Sequence, residues 1–173
     1  MRPFLFLYNL FFLCCITTIA HSQFVSATLG INGLTCSMCS YAVQTEIERL
    51  SFVEQANLDL NTNIAKVTFK PDQKVSIKEL ADAVSKAGFS VGYTEADYIF
   101  DQLSISNQST FTYQGEEYQF IKPSQFLLNG RTTLKFLDKK LTSKKTYSFW
   151  APLIKESLKQ TNSSSQIIYH VTL

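Results

Sequence analysis

Between residues 24 and 94 the apolar positions switch repeatedly between strand-like and helix-like spacing, and each switch marks an element. Val25, Thr28, Leu29, Ile31 and Leu34 predict an extended segment broken at Asn32-Gly33. Tyr41, Ala42, Val43, Ile47 and Leu50 follow close to helical period. Val53, Ala56, Leu58 and Leu60 then lead to a turn at Asn61-Thr62-Asn63, and Ile64, Val67 and Phe69 return as the second arm of a hairpin. Pro71-Asp72 stops that arm. Ser76 with Glu79 three residues on has the form of a capping box ahead of Ile77, Leu80, Ala81, Val84 and Ala87. Gly88 ends the helix, and Phe89, Val91 and Tyr93 read as a closing strand. The order is β-α-β-β-α-β, an α+β ferredoxin-like unit in which two helices cover one face of a four-stranded antiparallel sheet.

The pattern changes after about residue 95. The remainder is rich in Phe, Tyr, Ser, Thr and Lys and predicts mostly short strands, at 98–105, 109–113, 117–121, 127–136 and 166–173. Gln114-Gly115 supplies one turn, and Asn129-Gly130 bends the strand over 127–136. A short helix is expected from Trp150 or Pro152 to Gln160, followed by a loop over 162–165. These elements suggest a second, small β-rich domain over 95–173, with a partly open barrel as the candidate arrangement and no assigned role.

The first 22 residues stand apart. Arg2 is followed by an apolar run through Ile16, then by Ala20-His21-Ser22, which places small residues at the −3 and −1 positions of a cleavage site. This is a secretory signal pattern, giving an exported protein, periplasmic or secreted, with Gln23 at the mature N-terminus. The run is short for a spanning helix, so no stable membrane insertion is expected once it is cleaved. A formal net charge of +2, without lysine-arginine clusters interleaved with aromatics, argues against a nucleic-acid partner.

Export also changes the cysteine count. Of four cysteines, Cys14 and Cys15 leave with the signal, and the mature chain keeps Cys36 and Cys39. No disulfide framework is available, because a C-x-x-C closes too short a loop to staple a fold. The pair lies where the first strand gives way to the first helix. Helix-start N–H groups and the positive end of the dipole stabilise thiolates there, at Cys39 at least. Gly33 permits the sharp departure from the strand, and Thr35 is placed to cap the helix. Two soft sulfurs two residues apart can converge on one ion and suit Cu(I), which accepts few ligands.

The segment Gly33-Leu34-Thr35-Cys36-Ser37-Met38-Cys39 resembles the G-M-T-C-x-x-C signature of the heavy-metal-associated domain, found in copper chaperones, copper-transporting P-type ATPases and the periplasmic mercury-binding protein. The resemblance spans 24–94 and includes the helix-to-strand junction Lys86-Ala87-Gly88-Phe89. It implies that Cys36 and Cys39 are the metal ligands and that Leu34, in place of the usual Met, packs beneath the loop with nearly conserved volume. It also implies that Phe89 sits near the metal loop.

The function expected is therefore non-enzymatic: an exported protein holding Cu(I) between Cys36 and Cys39 for transfer or sequestration. A copper-transporting P-type ATPase or another exported copper protein would be its partner. Two alternatives stand beside it, an Hg(II)-binding scavenger using the same site and a thiol–disulfide oxidoreductase using the C-x-x-C pair. Zn(II) fits less well, since it normally takes four ligands. Met38 is read as a spacer, His170 as a strand residue with a satisfied imidazole, and the Lys139-Lys140 and Lys144-Lys145 pairs as solvated loop faces.

Overall fold

The computed structural model describes residues 23–123, 127–160 and 168–173. The expected signal segment over 1–22 and the loop over 162–165 lie outside the described residues.

The first half follows the pattern read from the sequence. Strand β1 (Phe24–Asn32) leads to helix α1 (Ser37–Glu48) and then to the hairpin β2 (Val53–Asp59) and β3 (Ile64–Phe69). Helix α2 (Ile77–Lys86) and strand β4 (Ser90–Ser104) complete the unit. Ser76 caps α2 by accepting a hydrogen bond from the Glu79 N–H at 3.3 Å. Leu29 and Ile31 of β1, Ala65 and Val67 of β3, and Val43, Ile47, Leu80 and Val84 of the helices are buried together. Burying each of the larger aliphatics contributes on the order of 1.5–3 kcal/mol.

Strand β4 does not stop at the end of that unit. It runs for 15 residues, pairing with β1 through residues 90–98 and with strand β7 (Leu127–Phe136) through residues 95–104. The boundary at 94/95 therefore falls inside one continuous strand. Strands β5 (Thr110–Tyr113), β6 (Glu116–Phe120), β7 and β8 (Ile168–Thr172) extend the same sheet, in the order β2-β3-β1-β4-β7-β8-β6-β5. The β-rich C-terminal half is present, and its strands add to the first sheet. Among the described residues the ladder stays open, with β2 and β5 at its ends. It nevertheless curls, because rings meet across strands that share no hydrogen bonds. Phe24 on β1 contacts Tyr113 on β5 at 5.1 Å, and Tyr98 on β4 contacts Phe111 on β5 at 5.0 Å.

Helix α3 spans Lys144–Gln160, several residues longer at its start than the expected helix. Its first turn is capped by Ser143, whose Oγ accepts from the Thr146 N–H at 3.1 Å, so Lys144 and Lys145 are helical and exposed. Pro152, which looks like a starting residue in sequence, sits inside the helix and forgoes one N–H. The helix covers the sheet through Ile154, packed with Ile121 and Leu137.

Candidate metal site

The loop between β1 and α1 is shaped by the backbone. Gly33, at φ +85°, turns the chain out of β1 in a conformation that a side chain would strain. Leu34 then drops into the core at 4% exposure, as the resemblance implied. Phe89 is half-buried beside the loop, its ring 4.0 Å from where a Cβ on Gly33 would lie.

The cap of α1 differs from the expectation. Cys36, not Thr35, is the N-cap residue, with extended backbone angles (φ −146°, ψ 155°). Its Sγ accepts a hydrogen bond from the Cys39 N–H at 3.2 Å, and its carbonyl accepts the first helical bond, from Ser40, at 3.2 Å. One helix-start N–H is thus aimed at the sulfur of the first cysteine, where it favours negative charge. Cys36 is exposed, while Cys39 is half-buried and packs against the core.

The two sulfurs are joined in a disulfide, with the Cα atoms 5.3 Å apart. That separation lies in the usual range for a bridged pair. The same geometry brings both sulfurs to one point on the surface. Reduced, the pair offers two soft donors to a single ion without moving the backbone far.

Asn63, in sequence a plain turn position, supports the loop. It lies at φ 55° at the tip of the β2–β3 hairpin. With its amide NH2 facing the carbonyls, it donates to Leu34 O at 3.0 Å and to Leu60 O at 3.2 Å. Its own carbonyl accepts from the Ile31 N–H at 2.9 Å. Asn63 therefore ties the hairpin to the loop immediately before Cys36. The signal available in sequence was an Asn at a turn position that tolerates positive φ.

The turn is itself organised by Asp59, whose carboxylate accepts from the Asn61 N–H at 2.9 Å and the Thr62 hydroxyl at 2.9 Å. Those hydrogen bonds, the Asn61 backbone bond foremost, hold its carboxyl below the usual range.

Other residues singled out from the sequence stay away from the pair. Met38 is 73% exposed on α1 between the two cysteines. His170 lies on β8, separated in the sheet from β1 by β4 and β7, so the structure does not bring it to the cysteines. Its imidazole is satisfied on one side only. Nδ1 is 2.8 Å from Asp138 Oδ1, and Nε2 is buried without a hydrogen-bond partner among the described residues. No cluster of three or more His, Cys, Asp or Glu side chains is placed to hold a metal among the described residues.

Comparison with known proteins bears on this loop directly. The family described as "Heavy-metal-associated domain" matches residues 28–90. The copper chaperone CopZ of Bacillus subtilis is 36% identical over 64 residues, which is 37% of this chain and 91% of that protein. The mercuric transport protein periplasmic component of Serratia marcescens is also 36% identical over 64 residues, 37% of this chain and 69% of that protein. A solved CopZ metallochaperone is 26% identical over 38% of this chain and 97% of its own length, with a TM-score of 0.36. Through the segment that carries Cys36 and Cys39, this chain belongs to the heavy-metal-associated domain family.

Proposed function

We propose that this protein is an exported, non-enzymatic carrier that holds Cu(I) between the Cys36 and Cys39 sulfurs and passes it on by sulfur exchange. The observation that carries the reading is the pair itself, two sulfurs meeting at the start of α1 with one of them open to solvent. Cu(I) accepts two thiolates and gains little from a harder third donor. Binding requires the reduced pair, so two electrons and two protons from a thiol reductant must first open the disulfide. The partner would present thiolates of its own, as a copper-transporting P-type ATPase or another exported copper protein does. Exchange then proceeds through a shared ion, one sulfur replaced at a time.

Hg(II) is the second reading, supported by the mercuric transport relative at the same identity as the copper chaperone. It uses the same two sulfurs and differs only in the ion. A thiol–disulfide oxidoreductase would use the same bridge catalytically and would reduce insulin disulfides.

The deciding experiment is an anaerobic titration of the reduced chain with Cu(I), Hg(II) and Zn(II) against competing chelators, with Cys36→Ser in parallel. One Cu(I) per chain, lost in the variant, is expected. Equal affinity of wild type and variant for Cu(I) ends the proposal, Hg(II) preference selects the second reading, and insulin reduction would select the third.

A further inference from the structure

A second site lies away from the cysteines. Between α3, the start of β8 and the loop after β7 is a cleft of about 400 Å3. That volume falls within the range of small-molecule pockets, about 300–1,000 Å3. Its wall is largely apolar, with Leu141, Tyr147, Ile154 and Ile168 among the residues that line it. Three lysines, Lys78, Lys139 and Lys140, also line it. Lys78 and Lys140 share Asp82, whereas Lys139 makes no ion pair among the described residues.

Tyr169 and His170, 5% and 3% exposed, are consecutive residues of β8 that both line the cleft. Tyr169 Oη and His170 Nε2 are buried without hydrogen-bond partners among the described residues. Both oxygens of Asp138, the one carboxylate lining the cleft among the described residues, are taken up by His170, through its N–H at 2.8 Å and its Nδ1 at 2.8 Å. Consecutive strand residues project to opposite faces, and the Tyr169 ring stacks on Tyr118 in the core, so neither atom is open to the cleft. The group that the cleft can receive is set by the lysines. The excess of ammonium over carboxylate sets the sign of that group.

We infer that this cleft binds a small apolar molecule carrying one anionic group, its body against Ile154 and Ile168 and its charge toward Lys139 and Lys140. The occupant is a free small molecule, such as a medium-chain carboxylate. The inference does not depend on the metal reading, because the cleft shares no residue with the Cys36 loop.

Calorimetric titration of the full chain with decanoate and with decanol, below their aggregation concentrations, tests it. Decanoate should bind with one site per chain and decanol about tenfold more weakly, the scale of two exposed charge contacts. Ile154→Trp, which fills the cleft, should abolish both. The surface variant Lys139→Ala/Lys140→Ala should lower decanoate affinity to that of decanol without altering the fold. Cys36→Ser should bind decanoate as the wild type does. Absence of decanoate binding, equal affinity for decanoate and decanol, or a lysine variant that binds decanoate unchanged overturns the inference. Sedimentation with phosphatidylglycerol vesicles that is lost in the same variants would replace the small molecule with a membrane surface and overturn it as well.

Discussion

The Cys36 Sγ accepts the Cys39 N–H at 3.2 Å, so the first sulfur of the pair also caps the helix that carries the second. The two roles can be separated. In the reduced protein, Cys36→Ser keeps an oxygen that accepts the same N–H, whereas Cys36→Ala leaves it unpaired. Loss of a Ser, Thr, Asn or Asp cap to Ala costs about 1 kcal/mol. Urea denaturation should therefore find Cys36→Ala about 1 kcal/mol less stable than Cys36→Ser, while both fail to hold Cu(I). Equal stabilities would mean that the cap contributes nothing.

The bridged state predicts a redox requirement. Cys36 and Cys39 are joined, and Cys36 is exposed to solvent reductants. Protein handled in air should show no reactive thiol from this pair and bind no Cu(I). After treatment with a phosphine reductant and its removal under argon, two thiols should react with Ellman's reagent and Cu(I) binding should appear. Binding of Cu(I) by the fully oxidised protein would locate the metal elsewhere.

Asp59 gives the hairpin beside the metal loop a pH dependence. Its carboxyl is held below the ordinary value, chiefly by the Asn61 backbone N–H and then by the Thr62 hydroxyl. A depressed native value means that the unfolded chain takes up the proton first. The stabilisation is fully present above the unfolded value, about pH 3.9, and disappears as pH falls through the native value. Wild type should therefore exceed Asp59→Ala in stability at pH 6, and the gap should shrink in acid below about pH 4. A difference that is constant from pH 6 to pH 2.5 would contradict the assignment.

The first half was legible because each boundary carries its own local chemistry. Ser76 announces a cap, Gly33 a departure from the strand and Asn61-Thr62-Asn63 a turn, and all three act as such in the fold. The metal ligand candidates were equally plain, since Cys36 and Cys39 are the cysteines left after the first 22 residues. What the sequence hid was non-local. Nothing between Tyr93 and Tyr98 says that one strand continues and pairs with β1 on one edge and β7 on the other. Pro152 masked the true start of α3 because proline favours a first turn, while the working cap, Ser143, lay among lysines that read as a loop. Asn63 illustrates the same limit, since its bond to Leu34 O exists only when the hairpin folds back onto the loop.

The continuous sheet makes a final prediction about how the two halves unfold. Phe24 begins β1, yet its ring is buried among rings from the C-terminal half, with Tyr98 at 4.8 Å, Tyr113 at 5.1 Å and Tyr118 at 5.5 Å. Replacing a buried Phe with Ala costs about 3–5 kcal/mol. Trp150, the chain's one tryptophan, lies on α3 against Ile121, Leu137 and Ile154 and reports on the far side of the sheet. If β4 couples the halves, Phe24→Ala should shift the urea midpoint seen by Trp150 fluorescence as far as the midpoint seen by far-ultraviolet circular dichroism. Coincident transitions before and after the substitution are the mark of a single cooperative unit. A Trp150 transition that stays in place while the circular dichroism transition moves would show that the halves unfold separately despite the shared strand.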